Sequence, residues 1–433
     1  MNSIMHDTLN FNKNIKISYD GGNLSSDTGL LIPRSFDEAI GFSKLIKKIF
    51  TGNADFKHTQ ANVIIQLVYT TIAGYHKDDA SDELREDPIF KEVLGKSTLA
   101  SQPTISRRIN GFTSEDLECF NQVTLELLKT IYQRKTPKYV ILDVDSTHIN
   151  TYGNQEENAY NYHYNSKGYH PLMLFDGLTG DLLQLRLRKG SVYTFNGVVE
   201  FLTPVLQWFE ERFPQIELIL RGDSGFACPE LYALLEEYQV KYIIRLKANN
   251  LLYQQSQHVE KAFYEAFNQD YTKTHALYED FFYEAGSWDK ERRVICKVER
   301  KVGELHPRHT FVVTNLNSFP QQVIKAYQKR GHMENFIKEA KLDFGMGSLS
   351  HTSFLANAVK LRIKALAYNL INFMKRLILP KKQRKSRMLS IRNIFIKVAS
   401  RHSRSGRYKK IRICSSYPYK NLFHNLLQKL ATW

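Results

Sequence analysis

The chain has 433 residues, 42% of them apolar and 24% charged, with a formal net charge of +16, the profile of a globular protein of two to four domains. It has no run of 18 apolar residues, and Met1 to Tyr19 is polar without a signal peptide's apolar core. Neither a membrane span nor a secretory leader is therefore expected, and a cytoplasmic location is. The four cysteines, Cys119, Cys228, Cys296 and Cys414, stand 68 or more residues apart, which excludes metal-ligand or redox spacing and leaves reduced thiols.

In chain order, residues 24 to 135 read as mostly helical. Ala61 to Ala73 is apolar, Asp78 to Asp87 is a polar connection, and Ser101-Gln-Pro-Thr-Ile-Ser-Arg-Arg carries a helix-start signal. Arg107 and Arg108 project from the first turns of that helix. The segment is either a helix-turn-helix reader of DNA or a small helical bundle with two surface arginines.

From Lys138 the pattern turns to strands. Tyr139 to Asp145 is β-rich, and a hairpin follows with strands Pro171 to Phe175 and Leu182 to Arg188 around Asp176-Gly-Leu-Thr-Gly-Asp181. Val198, Phe201, Leu202, Val205 and Phe209 form one side of a helix. Ile216 to Leu220 is a strand running into Arg221-Gly-Asp-Ser-Gly-Phe226, Leu231 to Tyr238 is helical, and Lys241 to Leu246 is a strand. Three strands, a helix, a strand, a helix and a strand are the order of an RNase H-like α/β domain. Residues 249 to 309, polar and aromatic with one clear strand at Arg293 to Val298, read as an inserted, partly β subdomain. After Phe311-Val-Val-Thr314, one long helix is predicted from Phe319 to Lys341.

The excess charge is local. From Phe344 to Trp433 there are 20 Lys or Arg and no Asp or Glu, leaving 40 basic against 44 acidic side chains before it. Such a segment is either the footprint of a nucleic-acid binder or a solvated tail. Its apolar periodicity at Ile391, Ile394, Phe395 and Val398 means that part of it folds.

Magnesium-dependent phosphodiester chemistry needs oxygen ligands converging from separate elements. Asp145 ends an apolar strand on the face that also carries Tyr139, Ile141 and Asp143. Asp143 is the reserve ligand, or a structural partner for a nearby Lys or Arg. Asp223 follows the second strand on a Gly-flanked turn, by itself a weak signal. Tyr327, Arg330, Glu334 and Lys341, at helical offsets 0, 3, 7 and 14, fall within roughly 60° of one another on a continuous helix. They form either a solvated face with an ordinary ion pair or a stripe that binds metal and phosphate together.

Tyr327-x2-Arg330-x3-Glu334-x6-Lys341 resembles the Y-R-E-K signature of DDE transposases from bacterial insertion sequences. Asp145-Ser-Thr-His resembles their D-x-T motif, and Arg221-Gly-Asp-Ser-Gly-Phe their second-aspartate motif. Ala73-Gly-Tyr-His-Lys-Asp-Asp, Leu84-Arg-Glu-Asp-Pro88, Ser101-Gln-Pro-Thr104, Gly168-Tyr-His-Pro-Leu172, Tyr242-Ile-Ile-Arg-Leu-Lys247 and Ala367-Tyr-Asn-Leu370 look like the 1380 family of such sequences. The resemblance covers roughly residues 20 to 375.

The resemblance implies Asp145, Asp223 and Glu334 as ligands of two Mg2+ ions, with Mn2+ able to substitute. It implies phosphate contacts from Tyr327, Arg330 and Lys341, element-end and target DNA as partners, a homodimer in the synaptic complex, and a bacterial, nucleoid-associated protein. Trp288 is the candidate for stacking on a flipped base, or else packs in the insertion's own core. Lys381, Lys382, Arg384, Lys385 and Arg387 are expected on the DNA backbone, with Arg107 and Arg108 as the N-terminal DNA contacts. The expected organisation is a helical DNA-binding region (1–135), an RNase H-like core in two parts (136–248 and 310–375), a β-rich insertion (249–309) and a basic C-terminal region (376–433). The competing readings are a catalytically silent DNA-binding regulator or domesticated copy, and a non-transposase RNase H-like nuclease.

Overall fold

The computed structural model describes residues 7–51, 56–267 and 270–433. The chain divides into two compact units, one of Met1–Cys119, Asp343–Gly345 and Leu366–Trp433, the other of Phe120–Leu342 and Met346–Ala365.

The second unit is built on an eight-stranded mixed sheet. Its strands are β1 (Tyr139–Ser146), β2 (Leu172–Asp176), β3 (Leu182–Arg186), β4 (Glu217–Gly222), β5 (Lys241–Leu246), β6 (His275–Tyr283), β7 (Arg292–Arg300) and β8 (Arg308–Thr314). Their order is β6-β7-β8-β5-β4-β1-β2-β3. Only β1, β4 and β5 run parallel to one another; the other pairings are antiparallel. Helices α1 (Val198–Arg212) and α2 (Pro229–Glu237) make the parallel crossovers. The predicted order of strands and helices from Tyr139 to Leu246 is thus present. A central strand covered on both faces needs apolar side chains, and Val140, Leu142 and Val144 are fully buried.

Two elements differ from the sequence expectation. Residues 249–309 hold two helices, α3 (Asn250–Gln255) and α4 (Gln257–Phe267), before β6 and β7. Those strands extend the main sheet through β8 rather than closing on themselves. Alternation explains this: Val294, Cys296 and Val298 face one way and are buried, while Ile295 joins Ile243 and Val312 in a cluster on the other side.

The expected long helix is also broken, into α5 (Pro320–Gln328) and α6 (Gly331–Asp343). Across the joint the backbone bonds close at i+3, from Arg330 N to the Tyr327 carbonyl and from Met333 N to the Arg330 carbonyl. Gly331 is a poor helix former, and the interruption turns Arg330 inward. The angular stripe expected of one continuous helix therefore does not run past Arg330.

The first unit is helical in its N-terminal part, and Gln60–Ala73 is nearly all buried. Gln102–Asn110 begins at the predicted start and buries Ile105 and Ile109. At the other end Ile391, Phe395 and Val398 are buried, as their periodicity implied, while Ile394 is only half-buried. A Cβ on Gly29 would fall 1.6 Å from the Phe395 carbonyl oxygen, so this contact is open only to glycine. The basic tail then forms a hairpin, Ser400–Ser405 and Tyr408–Ile413, that periodicity did not reveal. All four cysteines are free, and among the described residues no helix is long and apolar enough to cross a membrane.

Candidate functional site

In the sheet register Arg221 lies directly beside Asp143 on the parallel neighbour. Its Nε and Nη2 each donate to one Asp143 oxygen at 2.6 Å, with both side chains at most 2% exposed. The third guanidinium nitrogen, Nη1, donates to the Ala326 carbonyl on α5, also at 2.6 Å. A planar fork is the shape for such a bidentate pair. Asp143 thus has the structural partner weighed for it, from the Arg-Gly-Asp motif. Gly177 packs against the pair, and a Cβ there would fall 2.2 Å from Asp143 Oδ2.

Two residues further along each strand stand Asp145 and Asp223. Asp223 leaves the sheet on a turn, where its Oδ1 accepts from Gly225 N at 2.8 Å. Asp145 is 16% exposed and its Oδ2 meets Arg330 Nη2 at 3.0 Å. Burial and then the neighbouring charge of Asp223 push the Asp145 carboxyl up to about 6, against the opposing pull of Arg330. Two carboxylates at the ends of adjacent parallel strands repel each other in a poorly solvated place. Both line one cavity of about 460 Å³.

Arg330, at the joint, also donates to the Val144 carbonyl at 3.1 Å. Tyr327 packs on the apolar cluster of Ile243, Val323 and Ile324. Glu334 is exposed and lines a groove of about 330 Å³ with Asp145, Thr147 and Lys341. Lys341 Nζ donates to the His148 carbonyl at 2.6 Å and lies 3.3 Å from Thr147 Oγ1. Burial lowers its ammonium pKa. Asp145 and Ser146 line both the cavity and the groove. Among the described residues, no three His, Cys, Asp or Glu side chains are gathered closely enough to hold one ion.

The remaining candidates lie elsewhere. Trp288 makes edge contacts with Tyr232 of α2 and Tyr283 of β6, each at 5.4 Å, and its ring has the Arg292 guanidinium above it at 5.5 Å, so it is packed between its segment and the core. Arg107 and Arg108 stand in the last turn of their short helix, not the first. Arg108 lies over Phe56 at 3.9 Å and donates to the His58 carbonyl, while Arg107 donates to the Pro103 carbonyl. In the C-terminal cluster Lys381, Lys382 and Lys385 are exposed. Arg384 binds the Leu379 carbonyl and Arg387 pairs with Asp343 at 2.8 Å.

Sequence reasoning missed two features. Along the chain Arg221 stands out only as part of a motif, although a buried strand carboxylate two residues before a candidate ligand demands a cation. Tyr160, Tyr162, Tyr164 and Tyr193 line the same cavity as the aspartates. Their signal was an alternation of tyrosine with polar residues in Tyr160-Asn-Tyr-His-Tyr164.

The family model for transposase DDE domain group 1 matches residues 7–433, and no curated protein matches the chain. Among solved structures, similarity is found to a piggyBac transposase synaptic complex with hairpin DNA, at 13% identity and a TM-score of 0.45, covering 94% of this chain and 85% of that one. The catalytic domain of Mos1 mariner transposase is similar at 14% identity and a TM-score of 0.19, over 37% of this chain and 74% of that one. The Mos1 paired-end complex with left transposon end has 16% identity and the same TM-score, over 44% and 66%.

Proposed function

The chain belongs to the transposase DDE domain group 1 family, and on that premise we propose that it cleaves DNA at insertion-sequence ends and joins them to target DNA. The reading places an RNase H-like core at β1 to β5 and a divalent-cation site at Asp145, Asp223 and Glu334. The observation that carries it is the aspartate pair at two adjacent strand ends, where burial first and the second carboxylate after it push Asp145 up to about 6.

The donor set suits Mg2+ or Mn2+. It is all carboxylate oxygen, the hard type that these ions take, and Arg330 is the cation paired with Asp145. Bound there, the cations would supply Lewis-acid activation of a phosphodiester. The chain's own residues do the positioning. Arg330, fixed between the Val144 carbonyl and Asp145, presents its remaining donors toward a phosphate. Tyr327, wedged on its apolar cluster, gives a rigid hydroxyl, and Lys341 borders the groove that Glu334 lines. We assign the exposed basic residues of the C-terminal region to the DNA backbone and a homodimer to the paired-end assembly.

The test is cleavage of end-labelled DNA carrying the element's terminal repeat, with Mg2+ or Mn2+ and after chelation. Glu334→Gln keeps the shape but removes the charge. Cleavage is expected to fall by about two orders of magnitude or more, as for loss of a group made for the transition state, while DNA binding survives. A variant that cuts like the parent would remove Glu334 from the ligand set.

A further inference from the structure

The loop from β3 to α1, residues 187–197, is wound around a buried cation. Arg188 is 7% exposed. Its Nε donates to the His170 carbonyl at 2.9 Å, and its Nη1 fans out to the carbonyls of Tyr193, Thr194 and Asn196 at 3.2, 3.1 and 2.8 Å. Nη2 is buried and makes no hydrogen bond. Burial, and after it the charge of Arg186, pull the guanidinium down to about 10, and among the described residues no carboxylate pairs with it. It stays charged at neutral pH and is answered by carbonyl dipoles. Taking an ion out of water without a counter-charge is costly, so this loop gains from its arginine only if the loop's shape matters.

The rest of the loop is pinned as well. His170 Nδ1 donates to the Val192 carbonyl at 2.9 Å, and Asn161 Nδ2 donates to that of Gly190 at 2.8 Å. A Cβ on Gly190 would fall 2.2 Å from the Gly168 carbonyl oxygen, and one on Gly168 would fall 2.1 Å from that of Ile149.

What the loop touches supplies the reason. Ser191, Val192, Tyr193 and Thr194 line the cavity that holds Asp145 and Asp223. Thr194 lies against the turn of Asp223: a Cβ on Gly225 would fall 2.8 Å from Thr194 Cγ2 and 3.0 Å from Asp223 Oδ1. Gly225 N is the donor that fixes that carboxylate oxygen, at 2.8 Å. Arg188 therefore orders Thr194, Thr194 bears on Gly225, and Gly225 holds Asp223.

We propose that Arg188 is a positioning residue of the cation site, shaping the loop that seats the Asp223 carboxylate. This rests on the cation site proposed above, and its readout does not require cleavage.

The test is the Mn2+ affinity of the full chain without DNA, by calorimetric titration below the unfolding temperature, with unfolding itself followed in chelator. Arg188→Gln leaves the loop carbonyls short of donors. Thr194→Ala keeps those carbonyls in place but removes the methyl group that bears on Gly225. Groups that orient a metal ligand contribute about tenfold or more in metal affinity, so each variant is expected to bind Mn2+ about tenfold more weakly. The double variant is expected to lose no more than the larger single loss, because both changes act through one contact. An Arg188→Gln chain that melts earlier yet binds Mn2+ like the parent would make the arginine merely structural and overturn the proposal. Losses that multiply in the double variant would overturn it too. So would parental affinity in Thr194→Ala, an arm that stands even where Arg188→Gln does not fold. Asp223→Asn separates the two readings. If it binds Mn2+ as tightly as the parent, the cation site falls and the positioning role with it. If it loses binding while Arg188→Gln does not, only the positioning role falls.

Discussion

Arg221 and Asp143 show how a pair remote from the chemistry sets its geometry. Each stands two residues before an aspartate of the site, and Arg221 adds the Ala326 carbonyl, next to Tyr327. The fork therefore ties two strand ends and α5 into one piece. Arg221→Met leaves a buried carboxylate without its cation, and unfolding measurements should show a loss of about 3–5 kcal/mol. Arg221→Lys falls short as well, because an ammonium cannot span two carboxylate oxygens and a carbonyl in one plane. Asp143→Leu together with Arg221→Met should recover most of the stability, since apolar replacements of buried pairs are often neutral or better. It should not recover cleavage, because the hydrogen bond from Arg221 to the Ala326 carbonyl, which ties the strand ends to α5, is then gone. Recovery of both in one variant would make the pair purely structural.

The same scale gives the cation its thermodynamic signature. Asp145, pushed up to about 6 beside Asp223, is relieved when a divalent ion binds, and a ligand of the folded state stabilises it. At a hundred times its dissociation constant the gain is about 2.7 kcal/mol. Mn2+ should raise the unfolding temperature of the parent chain in calorimetry, and chelator should reverse it. In Asp223→Asn the rise should be much smaller; an equal rise would place the ion elsewhere.

At the scale of elements, the joint between α5 and α6 decides where Arg330 points. No atom lies within 4 Å of where a Gly331 Cβ would stand, so alanine fits without a clash. Ala is the better helix former by about 1 kcal/mol and favours one continuous helix, which draws Arg330 away from Asp145. Gly331→Ala is expected to leave thermal stability the same or slightly higher while lowering cleavage by about tenfold or more. Undiminished cleavage would mean that the joint is incidental. The strands β6 to β8 make a related point. Their residues alternate like those of the core strands, so β6 and β7, read as part of a β-rich insertion, join the central sheet through β8.

For the whole molecule the uneven charge matters most. All the excess lies in the last 90 residues, where an uncompensated positive field attracts a polyanion. Arg384 and Arg387 are engaged within the protein, so the exposed lysines are the cleaner probe. Replacing Lys381, Lys382 and Lys385 with alanine should weaken binding to element-end and random duplex alike. The slope of log affinity against log salt should flatten by about 0.9 for each phosphate that is no longer neutralised. An unchanged slope would make the cluster a solvated surface and shift backbone binding to the hairpin Ser400–Ser405 and Tyr408–Ile413.

Residues 139 to 246 were legible because their signals are local. Strand periodicity, a helix face and Gly-flanked turns depend on neighbours within a few positions, and they put Asp145 and Asp223 at strand ends before any pairing was known. The motif resemblance carried Glu334, Arg330 and Lys341 in the same way, by spacing along the chain. What spacing could not carry was contact between distant segments. That Asp143 belongs to Arg221 follows from parallel register across 78 positions. Trp288 is occupied by rings from two other elements, and the tyrosines come to line the cavity of the aspartates where Asn161 and two glycines press one loop onto another. Local periodicity determined which elements form and which carboxylates end them. Only the tertiary structure decided which side chains meet, because burial and charge compensation are settled between surfaces that the chain brings together after its elements exist.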